Sequence, residues 1–314
     1  MRGSRLALLS ACMVPCLSGA SEARPLPLKV VGTAIAPALA DGQHHAAWQE
    51  SGDRVQILDT STGQLREVSP PACVGDLPTA TLAGIGGGRL LWACEQNTKD
   101  AYPLIQSLTG ASSKPIPGIS SGFDTASGPL EIAFRGIGER WVTGSELHDG
   151  AQSSPVFIDF DGSVWHSSRE SRRWITDLDQ RSLRTKMCSA MQRPRSEPRP
   201  LMPAAFLPFK YEHPYGMRVA LPTRGPLFLQ RCGHRATRLS HCVPSCSALD
   251  LSARTAAWVE NDRILIERLP MLERYRTSNI GDRSVIVHAM PRAVVASLGD
   301  PSAKKWRIAL GRLG

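Results

Sequence analysis

The chain has 314 residues, 42% of them apolar and 21% charged, which is too apolar for a chain disordered throughout. No uncharged apolar run of ~18 or more residues follows the N-terminus, which excludes a polytopic membrane protein. Basic residues outnumber acidic ones 37 to 28, only 7 of the basic ones are Lys, and 27 Gly with 24 Pro favour many turns over long helices.

Arg2 and Arg5 precede residues 6–17, which are apolar apart from Ser10. Small residues follow at Ser18-Gly19-Ala20 and Ser21-Glu22-Ala23. This is the layout of a secretory signal peptide, so residues 1–23 are expected to be removed by a cut after Ala20 or Ala23. The apolar run is too short to span a bilayer as a helix. Leu9-Ser10-Ala11-Cys12 also resembles a bacterial lipobox, and a lipoprotein anchored through Cys12 is the second expectation. The mature chain is expected in the cell envelope or outside the cell. It keeps Cys73, Cys94, Cys188, Cys232, Cys242 and Cys246, an even set that reads as disulfides in an oxidising compartment.

Beyond the signal, short Trp-bearing segments alternate with strand-like ones. Ala46-Ala47-Trp48 is followed by residues 54–59, Leu90-Leu91-Trp92 by 103–108, and Arg140-Trp141-Val142 by 156–160. Weaker cycles pair 217–221 with 227–229 and 285–288 with 306–310, and Ala256-Ala257-Trp258-Val259 precedes 263–269. These stretches are rich in Val, Ile, Phe and Trp and are bounded by turn formers such as Asp59-Thr60-Ser61-Thr62-Gly63, Thr109-Gly110 and Asp161-Gly162. Helical periodicity beyond the signal is weak and confined to residues 178–191. A recurrence near 40–45 residues predicts an all-β protein, a β-propeller of about six four-stranded blades filling residues 28–314. The cycles fall near 34–74, 79–118, 125–188, 203–247, 248–281 and 283–311. A long exposed connection is expected near 166–203, where Arg and Pro concentrate. Lys29-Val30-Val31 is expected to add a strand to the last blade and close the ring.

The run Asp41-Gly42-Gln43-His44-His45-Ala46-Ala47-Trp48 and then Val55-Gln56-Ile57-Leu58-Asp59-Thr60-Ser61-Thr62-Gly63 resembles one blade of the TolB-like and WD-repeat-like bacterial propellers. Residues 251–258 followed by Ile264-Leu265-Ile266 are similar, without the Asp-Gly turn. The resemblance covers about half of the mature chain and implies a fold and no activity, because propellers host unrelated functions.

Catalytic motifs fail their context. Gly118-Ile119-Ser120-Ser121-Gly122 matches G-x-S-x-G, but both flanks have loop compositions rather than the strand and helix a nucleophile elbow needs. Gly84-Ile85-Gly86-Gly87-Gly88-Arg89 lacks the Lys-Ser/Thr of a phosphate loop and reads as a tight turn. Cys232-Gly233-His234 with His241-Cys242 and Cys246 offers zinc-ligand types, yet exported thiols more readily pair, so neither metal nor cofactor is expected. His44-His45 reads as plain surface with its rings pointing apart. The first bridge expected is Cys73–Cys94, one cysteine leaving the outer part of the first cycle and the other ending the inner strand of the second; Cys188 would take one of Cys232, Cys242 and Cys246.

Arg-rich stretches at 169–184, 193–199 and 231–238 either form a basic face for an envelope polyanion or are solvated one by one. Aromatic residues do not interleave with them, so nucleic acid is not an expected partner. The expected function is a non-catalytic binding or scaffold propeller, monomeric, with a protein or polyanion partner. The alternative is a propeller hydrolase or lyase with its site at the channel mouth, for which Asp124, Glu146, His148, Asp149 and His213 are loop-placed acid–base candidates.

Overall fold

The computed structural model describes residues 22–73, 80–95, 101–110, 112–116, 123–125, 128–137, 141–148, 151–159, 164–166, 174–175, 187–188, 217–220, 225–231, 237–242, 247–252, 255–268, 273–282 and 284–314. Among them every regular element is a strand, and no helix is long and apolar enough to cross a membrane.

β1 (Arg24–Pro25) and β2 (Lys29–Ala34) join sheets made by the far end of the chain. The first sheet is β3 (Leu39–Ala40), β4 (His45–Ser51), β5 (Arg54–Asp59) and β6 (Leu65–Val68), in that spatial order. The second is β7 (Thr81–Gly86), β8 (Arg89–Glu95), β9 (Ala101–Ser107) and β10 (Ser113–Pro115). The third has five strands, β11 (Phe123–Thr125), β12 (Gly128–Ile137), β13 (Trp141–His148), β14 (Ala151–Asp159) and β15 (Val164–His166). β16 (Trp174–Ile175) pairs only with β17 (Met187–Cys188), and β18 (Met217–Ala220), β19 (Gly225–Arg231) and β20 (Thr237–Cys242) form a three-stranded sheet. The penultimate sheet is β21 (Ser247–Leu251), β22 (Thr255–Glu260), β23 (Arg263–Arg268) and β24 (Glu273–Arg276), with β1 parallel on the β24 edge. The last is β25 (Ser284–Met290), β26 (Ala293–Asp300) and β27 (Lys305–Arg312), with β2 antiparallel on β27. The N-terminal strand thus completes the last sheet, as the sequence led us to expect.

Where side chains are described, the first and last sheets pack on both faces, so their strands alternate between two neighbours rather than between core and water. In β4 and β5, Ala46, Trp48 and Leu58 pack with Val295, Trp306 and Ile308 of the last sheet. Ala47, Val55 and Ile57 turn the other way, onto Leu90, Trp92 and Leu104 of the second sheet. A third cluster joins Ile264, Ile266 and Tyr275 of the penultimate sheet to Val287, Val294 and Ala309 of the last, capped by Leu26. First and last sheets sharing one core across more than 200 residues of chain close the ring, and this stacking makes the molecule a β-propeller.

Local chemistry explains the hairpins. Asn261 and Asp262 hold φ of 50° and 56°, the paired positive values of a two-residue turn that Asn and Asp tolerate best among side-chain-bearing residues. At the end of β5, Asp59 Oδ1 accepts from Ser61 N at 2.8 Å, Ser61 Oγ at 2.6 Å and Thr62 N at 3.2 Å, and the Ser61 bond foremost holds its carboxyl down at about 2.

Several expectations need correction. The Trp-bearing segments of β4, β8 and β22 are second strands, because β3, β7 and β21 precede them in their sheets. β7 was hidden by its glycines, which are poor strand formers, and the turn is only Gly87-Gly88. The long third cycle divides: β11 to β15 complete a sheet by His166; of the stretch expected as an exposed connection, only His166 and the short β16–β17 pair are described, and the rest lies outside the described residues. Within the weak helical window, Met187–Cys188 is strand and the rest lies outside the described residues. Pairing also begins at Arg24, ahead of Leu28, and Leu26 is buried.

Candidate binding cleft

The seam between the last and first sheets is stitched by buried polar groups. Ala38, between β2 and β3, donates its N–H to Ser297 Oγ at 2.9 Å and accepts at its carbonyl from His288 Nε2 at 2.7 Å. Asp250 Oδ2, from β21, accepts from Ala289 N at 2.9 Å and lies 3.5 Å from His288 Nδ1. Three sheets therefore fix the segment that crosses the seam, and a further bond from Ile35 N to Gln49 O at 3.0 Å sets residues 35–37 against β4.

Over this segment the surface opens into a cleft. A depression of about 790 Å³ lies between the end of β2, the β26–β27 hairpin and the Gly281-Asp282 loop. A second, of about 590 Å³, reaches from there to the starts of β7 and β25, and the two share Ile35, Lys304 and Trp306. Its floor is apolar: Pro37, Leu82, Val285, Ile286, Leu298 and the Trp306 ring. Ile35 is 40% exposed, one of three large apolar side chains so exposed among the described residues.

The cleft's acids are already engaged within the chain. Arg307 Nη2 donates to both Asp282 oxygens, at 3.0 and 2.7 Å. Asp300 Oδ1 accepts from Ser302 N at 2.9 Å and Ser302 Oγ at 2.6 Å, and the hydroxyl bond draws its carboxyl below the usual range. Glu50 lies 3.8 Å from Arg54 Nη1 and accepts from Gln56 Nε2 at 3.3 Å. Lys304 and Lys305, both exposed, have no counter-ion among the described residues. Their hairpin is ordered by the Asp300–Ser302 bonds and by Lys304 N donating to Pro301 O at 3.2 Å, which holds Lys304 at φ 47°.

The residues singled out in the sequence lie elsewhere. Cys73 and Cys94 form a disulfide with Cα atoms 5.8 Å apart, the spacing such a bond requires. Cys94 belongs to β8, the second strand of its sheet rather than the inner one, for the reason given for β7. Cys188 ends β17 and Cys242 ends β20, their side chains outside the described residues, as are Cys232 and Cys246. Asp124 lies in β11, and Glu146 and His148 in β13, so they are strand residues and not loop-placed; β13 runs on well past the Trp141-Val142 pair that marks it in the sequence. The side chains of these three, and all of Asp149 and His213, lie outside the described residues. So does the Gly118–Gly122 motif, whose flanks are strands β10 and β11, with no helix following. Of the pair His44-His45, His44 is exposed, whereas His45 Nδ1 sits 2.9 Å from Asp41 Oδ2 and that bond raises its pKa above 6.5. His45 is thus a partnered, half-buried group rather than plain surface. The Arg-rich stretches fall almost wholly outside the described residues.

No family model and no curated protein sequence matches the chain. Solved structures are similar to it at low identity. The Cps50 (Swd1) β-propeller domain of Myceliophteria thermophila is 9% identical with a TM-score of 0.47, over 90% of this chain and 99% of that one. A protein described as TolB from Agrobacterium tumefaciens is 9% identical with a TM-score of 0.38, over 89% of this chain and 90% of that one. A fungal alcohol oxidase of the AA5 family, in complex with copper, is 7% identical with a TM-score of 0.47, over 91% of this chain and 75% of that one.

Proposed function

We propose that the chain is an exported, non-catalytic binding propeller of the cell envelope or extracellular space, which seats its partner in the cleft between its first and last sheets. The observation that carries this reading is the cleft itself: an apolar floor with an exposed isoleucine, and acids spent on internal bonds beside two lysines without counter-ions among the described residues. Apolar surface of this kind, rimmed by polar groups, marks an interaction site. The Cys73–Cys94 bridge supports an oxidising compartment. Signal removal after Ala20 or Ala23 leaves β1 whole, since Arg24 is its first residue. The chain works as a monomer, its closed ring leaving the cleft to a partner.

A thermal-shift panel of peptides, sulfated polysaccharides and neutral oligosaccharides tests this on the wild type and on Ile35→Asp. A ligand at a hundred times its Kd adds about 2.7 kcal/mol to stability. At least one class will raise the melting temperature of the wild type and not of the variant. Equal shifts in both proteins place the site elsewhere, and consumption of a panel member overturns the non-catalytic reading.

A further inference from the structure

We propose that the cleft takes an extended segment of another protein in which a large apolar side chain is flanked by carboxylates. This rests on the binding reading and names its ligand class. The two depressions, of about 790 and 590 Å³, share Ile35, Lys304 and Trp306 and so lie side by side, offering together more room than a pocket for one group.

Apolar and cationic side chains both line the cleft. Ile35, held by the Ile35 N–Gln49 O bond, presents an apolar side chain that no part of the described chain covers further. Lys304 and Lys305 stand beside it on an ordered turn, so binding need not immobilise a loose loop first. Of the neighbouring acids, Asp282 and Glu50 face Arg307 and Arg54, whereas Asp300 is bonded by the neutral Ser302 and keeps its charge beside the two lysines, which outnumber it. Gln49 adds a fixed polar group suited to peptide backbone. It is 8% exposed, its Nε2 reaches Gly52 O at 3.5 Å, and its Oε1 accepts no hydrogen bond among the described residues. Thr81 and Ser284 line the same end of the groove.

Other occupants fit less well. A second copy of the chain would bring another net positive charge against the lysines. A sulfated or phosphorylated polysaccharide would satisfy the lysines but has no group for Ile35, Leu82 or Val285. An apolar side chain between carboxylates uses both sets at once.

Fluorescence anisotropy on the full disulfide-intact chain decides the matter. The probes are a short dye-labelled peptide alternating leucine with glutamate, one with lysine for glutamate, one with serine for leucine, and labelled dextran sulfate. We expect the leucine–glutamate probe to bind at least about tenfold more tightly than either altered peptide. Lys304→Glu with Lys305→Glu will weaken it about tenfold, Ile35→Asp by a similar factor, and Lys304→Gln with Lys305→Gln by less. All these positions are exposed, and an unchanged melting temperature will confirm that the variants fold. Equal binding of the lysine or serine probe, or indifference to the lysine reversals, overturns the proposal. Should dextran sulfate or an oligosaccharide instead bind in an Ile35-dependent way, the peptide assignment falls and the binding reading stands. If no probe of any class responds to Ile35→Asp, both fall.

Discussion

Gly299 is where a single methyl group does most damage to the cleft. It sits in β26 directly opposite Trp306 of β27. An added Cβ would collide with the Lys305 carbonyl oxygen and lie 3.0 Å from Trp306 Cα and 3.2 Å from Lys305 C. All three are backbone atoms, so no side chain can swing away and the two strands must part. Overpacking of this kind costs about 1–3 kcal/mol, and each ladder hydrogen bond lost adds about 1 kcal/mol. Gly299→Ala should therefore destabilise the chain by about 2–4 kcal/mol and loosen the hairpin that carries Lys304 and Lys305. Urea unfolding followed by tryptophan fluorescence measures it, with two controls. At Gly52 an added Cβ meets nothing within 4 Å, and Ala there should stay within about 0.5 kcal/mol of wild type. At Gly281 there is also nothing within 4 Å, but φ is +69°, so Ala should cost about 1–2 kcal/mol through backbone strain alone. A Gly299→Ala protein within about 0.5 kcal/mol of wild type would refute the close-approach argument.

Three further outcomes follow from buried and bonded groups. Glu267 of β23 is buried with one oxygen 2.7 Å from Arg274 Nε, and burial, outweighing that pair, pushes its carboxyl up to about 7. The unfolded value is 4.5, so the native chain holds the extra proton between those values and stability falls as pH rises through them. Urea midpoints should fall more steeply over this window for wild type than for Glu267→Gln, with the variant more stable by about 1–3 kcal/mol above neutrality; parallel curves would contradict it. His45, raised by Asp41, contributes fully below 6.5 and loses that contribution as pH climbs through its higher folded value; an NMR titration will place it above 6.5, and Asp41→Asn will bring it back down. Non-reducing peptide mapping will recover Cys73 and Cys94 in one linked fragment, and reduction will lower stability by about 3 kcal/mol; free thiols at both positions would sink the pairing.

The fold was legible where hairpins are local. β4–β5 and β22–β23 announce themselves through a Trp segment, a β-branched segment and turn formers between them. What escaped was whatever depends on partners distant in sequence. β1 is two residues that mean nothing until β24, some 250 positions later, offers an edge. The glycines of β7 argue locally for a turn, and only pairing with β8 and packing around Ile85 make them a strand. The same separation hid the cleft. Ile35, Leu82, Val285 and Lys304 come from four segments, each unremarkable alone, and Ile35 reads as an ordinary apolar residue until the seam leaves it exposed. Clustered arginines drew attention in the sequence, whereas the cleft cations without a counter-ion among the described residues are two of the seven lysines. Density of charge is visible in a sequence; absence of a counter-ion is visible only in three dimensions.

Hydrogen–deuterium exchange with and without the stabilising ligand of the thermal-shift panel tests the central claim most directly. If the seam cleft is the binding site, protection will concentrate on peptides covering residues 33–37 and 298–307, with smaller changes at 81–82 and 284–286. Protection that falls instead on strands remote from the seam, with residues 33–37 and 298–307 unchanged, would contradict it.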